Sequence, residues 1–202
     1  MLALNLPNVL TVLRILLVPV LVVALLDGTA HGDLLAAVVF AIASVTDLID
    51  GYLARSRNWV TTFGKLMDPI ADKLLVIAAL FALVSLDRLQ AWIAMVIVTR
   101  ELAVTVSRMV ATGQGVVIPA AGWGKAKTVV QVAAIFFLIA VNPTTWWVDA
   151  LVYGMVALTV ISGVDYFFGL RRMLREAEER RRRAGEAGAG AADPPVSDAP
   201  RT

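Results

Sequence analysis

Two side chains central to much protein chemistry are almost missing from this sequence. Its 202 residues include no cysteine and one histidine, His31. The lack of cysteine excludes the disulfide scaffold of small secreted proteins and any thiolate metal site. His31 falls in a short connection between two long apolar runs, and we expect no catalytic role for it.

Charged residues are also scarce and unevenly placed. Residues 1–170 contain ten Lys or Arg and ten Asp or Glu, whereas hydrophobic residues make up 59% of the whole chain. A soluble domain carries about a quarter charged residues and about half apolar ones. This composition leaves too little polar surface to coat a soluble globule and is too apolar for a disordered chain. It predicts a polytopic membrane protein.

The apolar runs predict an all-α integral membrane protein with six transmembrane helices. About 20 mostly apolar residues are needed to cross the hydrocarbon core of a bilayer. Runs of that kind occupy residues 8–26, 34–54, 66–86, 91–112, 124–141 and 146–170. The first run lacks a basic leader and a small-residue cleavage site, so we expect it to be retained as a span.

The distribution of Lys and Arg predicts the orientation. The connection after the second run carries Arg55, Arg57 and Lys65, whereas those after the first and fifth runs contain no Lys or Arg, only acids such as Asp27 and Asp33. With six spans, both termini are expected in the cytoplasm and the chain in the inner (plasma) membrane of the cell.

The C-terminal part divides into two segments after a six-span domain at 1–170. Residues 171–183 are rich in Arg and contain Glu-before-Arg pairs at i,i+4, which predicts a basic juxtamembrane helix. Such a helix either attracts anionic lipid or simply follows the positive-inside bias. Residues 184–202, rich in Ala, Gly, Pro and Asp, are predicted to be disordered.

Four aspartates at the adjoining ends of the second and third runs form the most unusual pattern. Asp47 and Asp50 are one helical turn apart, as are Asp68 and Asp72, and a short connection brings the two pairs together. Four converging carboxylates repel one another unless some are protonated or divalent cations neutralise them. Oxygen ligands without His or Cys favour Mg²⁺ or Mn²⁺. The alternative is that these are helix caps and surface charges, which suits Asp68 before Pro69.

The complete string resembles the signature of the CDP-alcohol phosphotransferase family. It reads D-x2-D-G-x2-A-R-x8-G-x3-D-x3-D from residue 47 to residue 72, with every signature position filled. The resemblance implies a six-span enzyme, usually a homodimer, with a polar cavity facing the cytoplasm. Such enzymes transfer a phosphate-linked group from a CDP-linked lipid or alcohol to an acceptor hydroxyl and release CMP.

The resemblance also assigns roles to these residues. The four aspartates would hold two metal ions, and Asp72 would also be the general base. The CDP site would be lined by Asp47, Asp50, Gly51, Ala54 and Arg55. Independently of the family, small residues such as Gly51 and Ala54 allow close backbone approach, and Arg55 offers a bidentate donor for a pyrophosphate.

Flanking segments resemble the branch of the family that makes phosphatidylglycerophosphate, and the related cardiolipin synthases. These segments are NLPNVLTVLR (5–14), MDPIADK (67–73) and REL (100–102). A fourth segment, GWGKAKT (122–128), favours the branch that makes phosphatidylglycerophosphate. We assign Asn8, Thr11 and Arg14 to the CDP-lipid site. The alternative for Asn8 and Thr11 is the start of an interfacial helix. For Arg14, contact with the pyrophosphate and pairing with a carboxylate are both open.

Four cations at or inside the membrane suggest a phosphorylated acceptor. They are Arg100, Arg108, Lys125 and Lys127. Glycerol 3-phosphate carries the phosphate that such a group would bind, whereas phosphatidylglycerol, the acceptor of a cardiolipin synthase, is a less charged diester. For Arg108 the alternative is snorkelling to the nearer interface. Glu101 could orient Arg100 or sit at a helix interface.

The predicted substrates are therefore CDP-diacylglycerol and glycerol 3-phosphate, with cardiolipin synthesis from phosphatidylglycerol as the alternative. A non-enzyme alternative, a divalent-cation transporter, would distribute its carboxylates along the membrane depth, whereas here they cluster in one half of the chain. No nucleic-acid partner is expected. Asp165, inside the last run, has no role in this interpretation and is expected to find a partner on another helix.

Overall fold

The described part of the chain forms six long helices. The computed structural model describes the backbone of residues 6–57, 62–113, 122–142 and 145–191, and the side chains of residues 9–47, 70–71, 73–111, 126–142, 145–169, 171 and 175. The helices are α1 (Leu6–Leu26), α2 (Ala30–Arg57), α3 (Thr62–Ser85), α4 (Ala91–Gly113), α5 (Gly122–Ala140) and α6 (Trp146–Ala191). The predicted all-helical class is confirmed, and each predicted run coincides with one helix.

Among the described residues, three helical segments are long and apolar enough to cross a membrane: Val9–Leu26, Ala30–Asp47 and Trp146–Gly169. Shorter apolar helical segments occupy Lys73–Ser85 and Ala126–Ala140. Large apolar side chains such as Val23, Leu34 and Phe168 are more than 60% exposed on the outside of the bundle. An apolar exterior of this extent requires lipid around it, so the chain is a membrane protein.

Small side chains allow the helices to pack closely at the centre of the bundle. Ala36, Ala43 and Ala79 have no exposed surface, and they lie beside larger buried side chains such as Phe40 and Leu80. In lipid, close packing rather than water exclusion holds helices together, and small residues permit it. α1 packs on α2 and α3, α5 packs on α2 and α6, and α4 packs on α3 and α6.

The second helix begins four residues earlier than the apolar run predicts. Thr29 caps it, because its Oγ1 accepts a hydrogen bond from the backbone N–H of Gly32 at 3.0 Å and donates one to Asp27 at 2.5 Å. His31 is consequently an exposed residue of the first turn of α2 rather than part of a connection. Gly28, with φ of 66°, makes the turn between α1 and the cap.

A cluster of three polar side chains fastens one end of the bundle, and we call it the clamp. Arg88 donates two hydrogen bonds to Asp33, at 2.8 and 2.9 Å, and Asn142 donates a third at 3.4 Å. The prediction that Asp33 belongs to the connection after the first run is therefore wrong. It lies in the first turn of α2 and is buried, because its carboxylate reaches the segment between α3 and α4.

The last helix extends beyond the predicted juxtamembrane segment, to Ala191. It therefore continues eight residues into the segment expected to be disordered from residue 184. Of residues 184–191, four are alanine, which has the highest helix propensity, and three are glycine; no proline lies between Pro143 and Pro194. Residues 192–202 lie outside the described part of the chain.

Candidate active site

The four aspartates of the motif lie at the end of the bundle opposite the clamp, which we call the site end. Asp47 and Asp50 occupy the last turns of α2, and Asp68 and Asp72 occupy the first turns of α3. Members of each pair are one turn apart along their helix, as the spacing predicts. Of these four side chains only that of Asp47 is described. Within the described part of the chain, no three carboxylate or histidine side chains form a group suited to a metal ion.

Arg14 of α1 forms an ion pair with Asp47. The distance from Arg14 Nη1 to Asp47 Oδ1 is 2.7 Å, and the arginine side chain is 1% exposed whereas the aspartate side chain is 39% exposed. A charged arginine inside a span needs an anion nearby, and here it has one of the motif carboxylates. Thr11, one turn before Arg14, is also buried. The first helix therefore brings a buried cation to the end of α2 that carries the motif.

A cavity of about 410 Å³ opens beside this ion pair. Arg14, Asp47 and Ser44 are at its polar end, whereas Phe40, Phe136 and Phe137 lie among the apolar side chains that line the rest. Its walls come from α2, α3 and α5, with Arg14 from α1. A cavity that is charged at one end and apolar along its length matches a ligand with the same division, such as a phospholipid.

A second polar group, which we call the cation cluster, surrounds the carboxylate of Glu101 on α4. Lys73 of α3 contacts Glu101 Oε2 at 2.7 Å, and Arg100 Nη1 contacts Oε1 at 3.2 Å. Lys127 of α5 also contacts Oε1. The side chains of Glu101 and Lys127 are only 9% and 4% exposed. Three helices thus deliver three cations to one buried carboxylate.

Arg100 also ties the cation cluster to α6. Its Nη2 donates a hydrogen bond to Ser162 Oγ at 3.1 Å, and Ser162 in turn donates to the backbone carbonyl of Thr159 at 3.1 Å. Gly163 leaves the space that the arginine stem occupies, because a Cβ there would lie 3.2 Å from Arg100 Cγ. Arg108 and Tyr166 lie close enough to act electrostatically on Arg100.

The structure brings together part of the predicted site. Arg14 and Asp47 are paired, and Arg100 and Lys127 share Glu101, while Arg108 is exposed further along α4. Asp165 is exposed, and no ion pair to it is found within the described side chains, so its expected partner on another helix is not among them. The remaining predicted site residues have side chains outside the described part: Asn8, Asp50, Gly51, Ala54, Arg55, Asp68, Asp72 and Lys125.

Sequence reasoning missed the central position of Glu101 and the participation of Lys73 and Ser162. One signal was available for Glu101, since it is the only acid in α4 and α5. Those helices also hold four Lys or Arg residues that each need a counter-charge. The sequence held no such signal for Ser162, because a serine in an apolar run commonly forms a hydrogen bond with the backbone of its own helix.

The fold and the site together define a helical membrane protein with motif carboxylates and buried cations at one end. The chain belongs to the CDP-alcohol phosphatidyltransferase family, whose family model matches residues 4–161. The chain is 41% identical over 180 residues to a protein of Bacillus subtilis (strain 168) named CDP-diacylglycerol–glycerol-3-phosphate 3-phosphatidyltransferase. That match covers 81% of this chain and 93% of the relative.

Two further relatives carry related names. A protein of Mycobacterium tuberculosis (strain H37Rv), named probable phosphatidylglycerophosphate synthase, is 44% identical over 177 residues, which cover 85% of this chain and 83% of the relative. A protein of Rickettsia felis with the same name as the Bacillus protein is 36% identical over 169 residues, covering 81% of this chain and 93% of the relative.

Proposed function

We propose that this protein transfers the phosphatidyl group of CDP-diacylglycerol to sn-glycerol 3-phosphate, giving phosphatidylglycerophosphate and CMP. The observation that carries the proposal is the identity of 41–44% with relatives named for this activity over more than four fifths of the chain. The cation cluster supports it independently. A buried group of Lys and Arg in a membrane protein suits a small phosphorylated acceptor.

The CDP-lipid is proposed to bind between the motif and the amphipathic cavity. Asp47, Asp50, Gly51, Ala54 and Arg55 would line the nucleotide and pyrophosphate part, with Asn8, Thr11 and Arg14 beside it. The cavity extends from Arg14 and Asp47 toward Phe136 and Phe137, so it is placed to accept an acyl chain when the pyrophosphate lies at the motif. Because the acyl chain enters from the bilayer, packing contacts rather than water exclusion would hold it there.

The donor set at the site end fits divalent metal ions. Asp47, Asp50, Asp68 and Asp72 are proposed to hold two ions, Mg²⁺ or Mn²⁺, because carboxylate oxygens alone suit hard cations. Asp47 is partly exposed and lines the cavity, which suits a ligand position. When bound, such ions neutralise the pyrophosphate and stabilise the departing CMP.

The chain's own residues would carry the rest of the reaction. Arg100, Lys125 and Lys127, with Arg108 further out, are proposed to hold the phosphate of glycerol 3-phosphate and so orient its 1-hydroxyl. Asp72 would accept the proton of that hydroxyl as the hydroxyl oxygen attacks the phosphorus that bears diacylglycerol. A new phosphorus–oxygen bond forms, the bond to CMP breaks, and the lipid product stays in the membrane.

The arrangement of helices supports a membrane topology in which the site end faces the cytoplasm. We propose six spans with both termini and the site end in the cytoplasm of a multi-pass protein of the plasma membrane, and a homodimer as its working form. Asp47, Lys73, Glu101 and Lys127 then lie toward one face, where water-soluble glycerol 3-phosphate reaches them. The basic segment 171–183 falls on that same side, in agreement with the positive-inside bias.

The deciding experiment offers the purified protein CDP-diacylglycerol and Mg²⁺ with each acceptor in turn. CMP release is expected with glycerol 3-phosphate and not with phosphatidylglycerol, and a chelator should abolish it. Release with phosphatidylglycerol alone would refute the proposal in favour of cardiolipin synthesis. Asp72→Asn should remove turnover while CDP-lipid binding is kept, and Asp149→Asn, an exposed carboxylate of α6, should change neither.

A further inference from the structure

We infer that Glu101 is the positioning residue of the acceptor site: it holds Lys73, Lys127 and Arg100 in the arrangement that receives the acceptor phosphate. The inference rests on the proposed function and adds a role for a carboxylate that does not itself bind either substrate. Glu101 stands one residue after Arg100 on α4, and both of its oxygens face cations.

The two carboxylate oxygens of Glu101 contact different cations. Lys73 approaches Oε2, whereas Lys127 and Arg100 share Oε1. A carboxylate has about four lone-pair positions, so it can accept three such bonds at once. Because the three cations come from α3, α4 and α5, the position of Glu101 determines how far apart their charged groups lie.

Lysine needs such a partner more than arginine does. Its ammonium is a point charge at the end of a flexible four-carbon stem, so its position depends on what it contacts. Lys127 lines a small cavity together with apolar side chains such as Val98 and Val132 and the uncharged polar side chains of Thr128 and Gln131. Glu101 supplies a charged contact that holds this lysine within the cluster.

The charges also leave the cluster suited to an anion. Glu101 carries one negative charge against the three positive charges of Lys73, Lys127 and Arg100, so positive charge predominates among these four side chains. A phosphate monoester carries about −1.5 to −2 at pH 7. Each ammonium has three donors, so one contact with Glu101 does not use up the hydrogen-bonding capacity of either lysine.

The test compares the KM values of the two substrates in Glu101→Gln. This change keeps the shape of the side chain and removes its charge. We expect the KM for glycerol 3-phosphate to rise at least tenfold while the KM for CDP-diacylglycerol stays within twofold. Glu101→Asp keeps the charge on a shorter stem, so it should recover part of the loss, and it decides the matter if Glu101→Gln does not fold.

Asp33→Asn is the matched control, since Asp33 is also a buried carboxylate paired with an arginine but belongs to the clamp. It should lower thermal stability and leave both KM values unchanged. An unchanged KM for glycerol 3-phosphate in both Glu101 variants, or an equal rise in Asp33→Asn, would show that Glu101 is only structural. If the wild-type protein shows no turnover with glycerol 3-phosphate, the proposed function fails and this inference with it.

Discussion

A single methyl group at Gly163 should disturb the acceptor site without entering it. Gly163 lies on α6, and a Cβ at this position would be 3.2 Å from Arg100 Cγ. Carbon atoms pack best at about 3.5–4.0 Å, so the arginine stem must retreat by roughly 0.3–0.8 Å. The shift is passed to the guanidinium group, whose Nη2 is now 3.1 Å from Ser162 Oγ.

The expected size of the effect follows from that hydrogen bond. A retreat of this size lengthens the 3.1 Å contact to roughly 3.4–3.9 Å, around or beyond the distance at which a hydrogen bond is largely lost. Hydrogen bonds to charged groups contribute about 1.5–3 kcal/mol. Because the guanidinium keeps its contact with Glu101, we expect Arg100 to lose about half of this free energy, which raises the KM for glycerol 3-phosphate roughly four- to twelvefold.

The assay is steady-state kinetics on Gly163→Ala, with Gly154→Ala as the control. Gly154 lies on the same helix, and a Cβ added there would meet nothing within 4 Å, so the same chemical change enters open space. Both variants exchange glycine for a better helix former, which stabilises a helix by about 0.5–1 kcal/mol. Only Gly163→Ala should raise the KM for glycerol 3-phosphate.

Ser162→Ala completes the test. If the methyl group acts by breaking the bond between Arg100 and Ser162, then adding Ser162→Ala to Gly163→Ala should raise the KM little further. Fully additive effects, or the same KM in Gly163→Ala and Gly154→Ala, would refute the reasoning.

Two further predictions concern other parts of the bundle. Asp33→Asn leaves Arg88 buried without its counter-charge, so the free energy of unfolding, measured by denaturation in detergent, should fall by about 3 kcal/mol. Replacing both residues by apolar ones of similar size should lower the free energy of unfolding by less. An equal loss in the two variants would contradict a role for charge pairing. Ala133→Phe places a ring in the amphipathic cavity and should raise the KM for CDP-diacylglycerol severalfold with that for glycerol 3-phosphate unchanged. Ala140→Phe, at an exposed position of the same helix, is its control, and a matching rise there would argue against the cavity as the lipid site.

Much of the fold follows from apolar run length alone. Each of the six predicted runs is a helix, because a segment of that length in lipid must satisfy its backbone internally. The ends were less predictable, since local contacts set them. Thr29 starts α2 early by capping it, and alanine carries α6 on to Ala191.

The candidate site was predictable where it depends on spacing and not where it depends on which helices are neighbours. The positions of the four motif aspartates on two consecutive helices could be predicted from their spacing in the sequence. The grouping of Lys73, Glu101 and Lys127 requires α3, α4 and α5 to meet, and nothing in the three separate runs specifies that meeting. The pairing of Asp33 with Arg88 was missed for the same reason.

The clamp has a consequence for how the protein is made. Arg88 follows its partner Asp33 by 55 residues, with most of α2 and all of α3 between them. Under the proposed topology Arg88 must be carried across the bilayer, and its charge is neutralised only when the helices assemble on the far side. The clamp can therefore form only after the connection between α3 and α4 has crossed the bilayer, and once formed it holds that connection beside the start of α2.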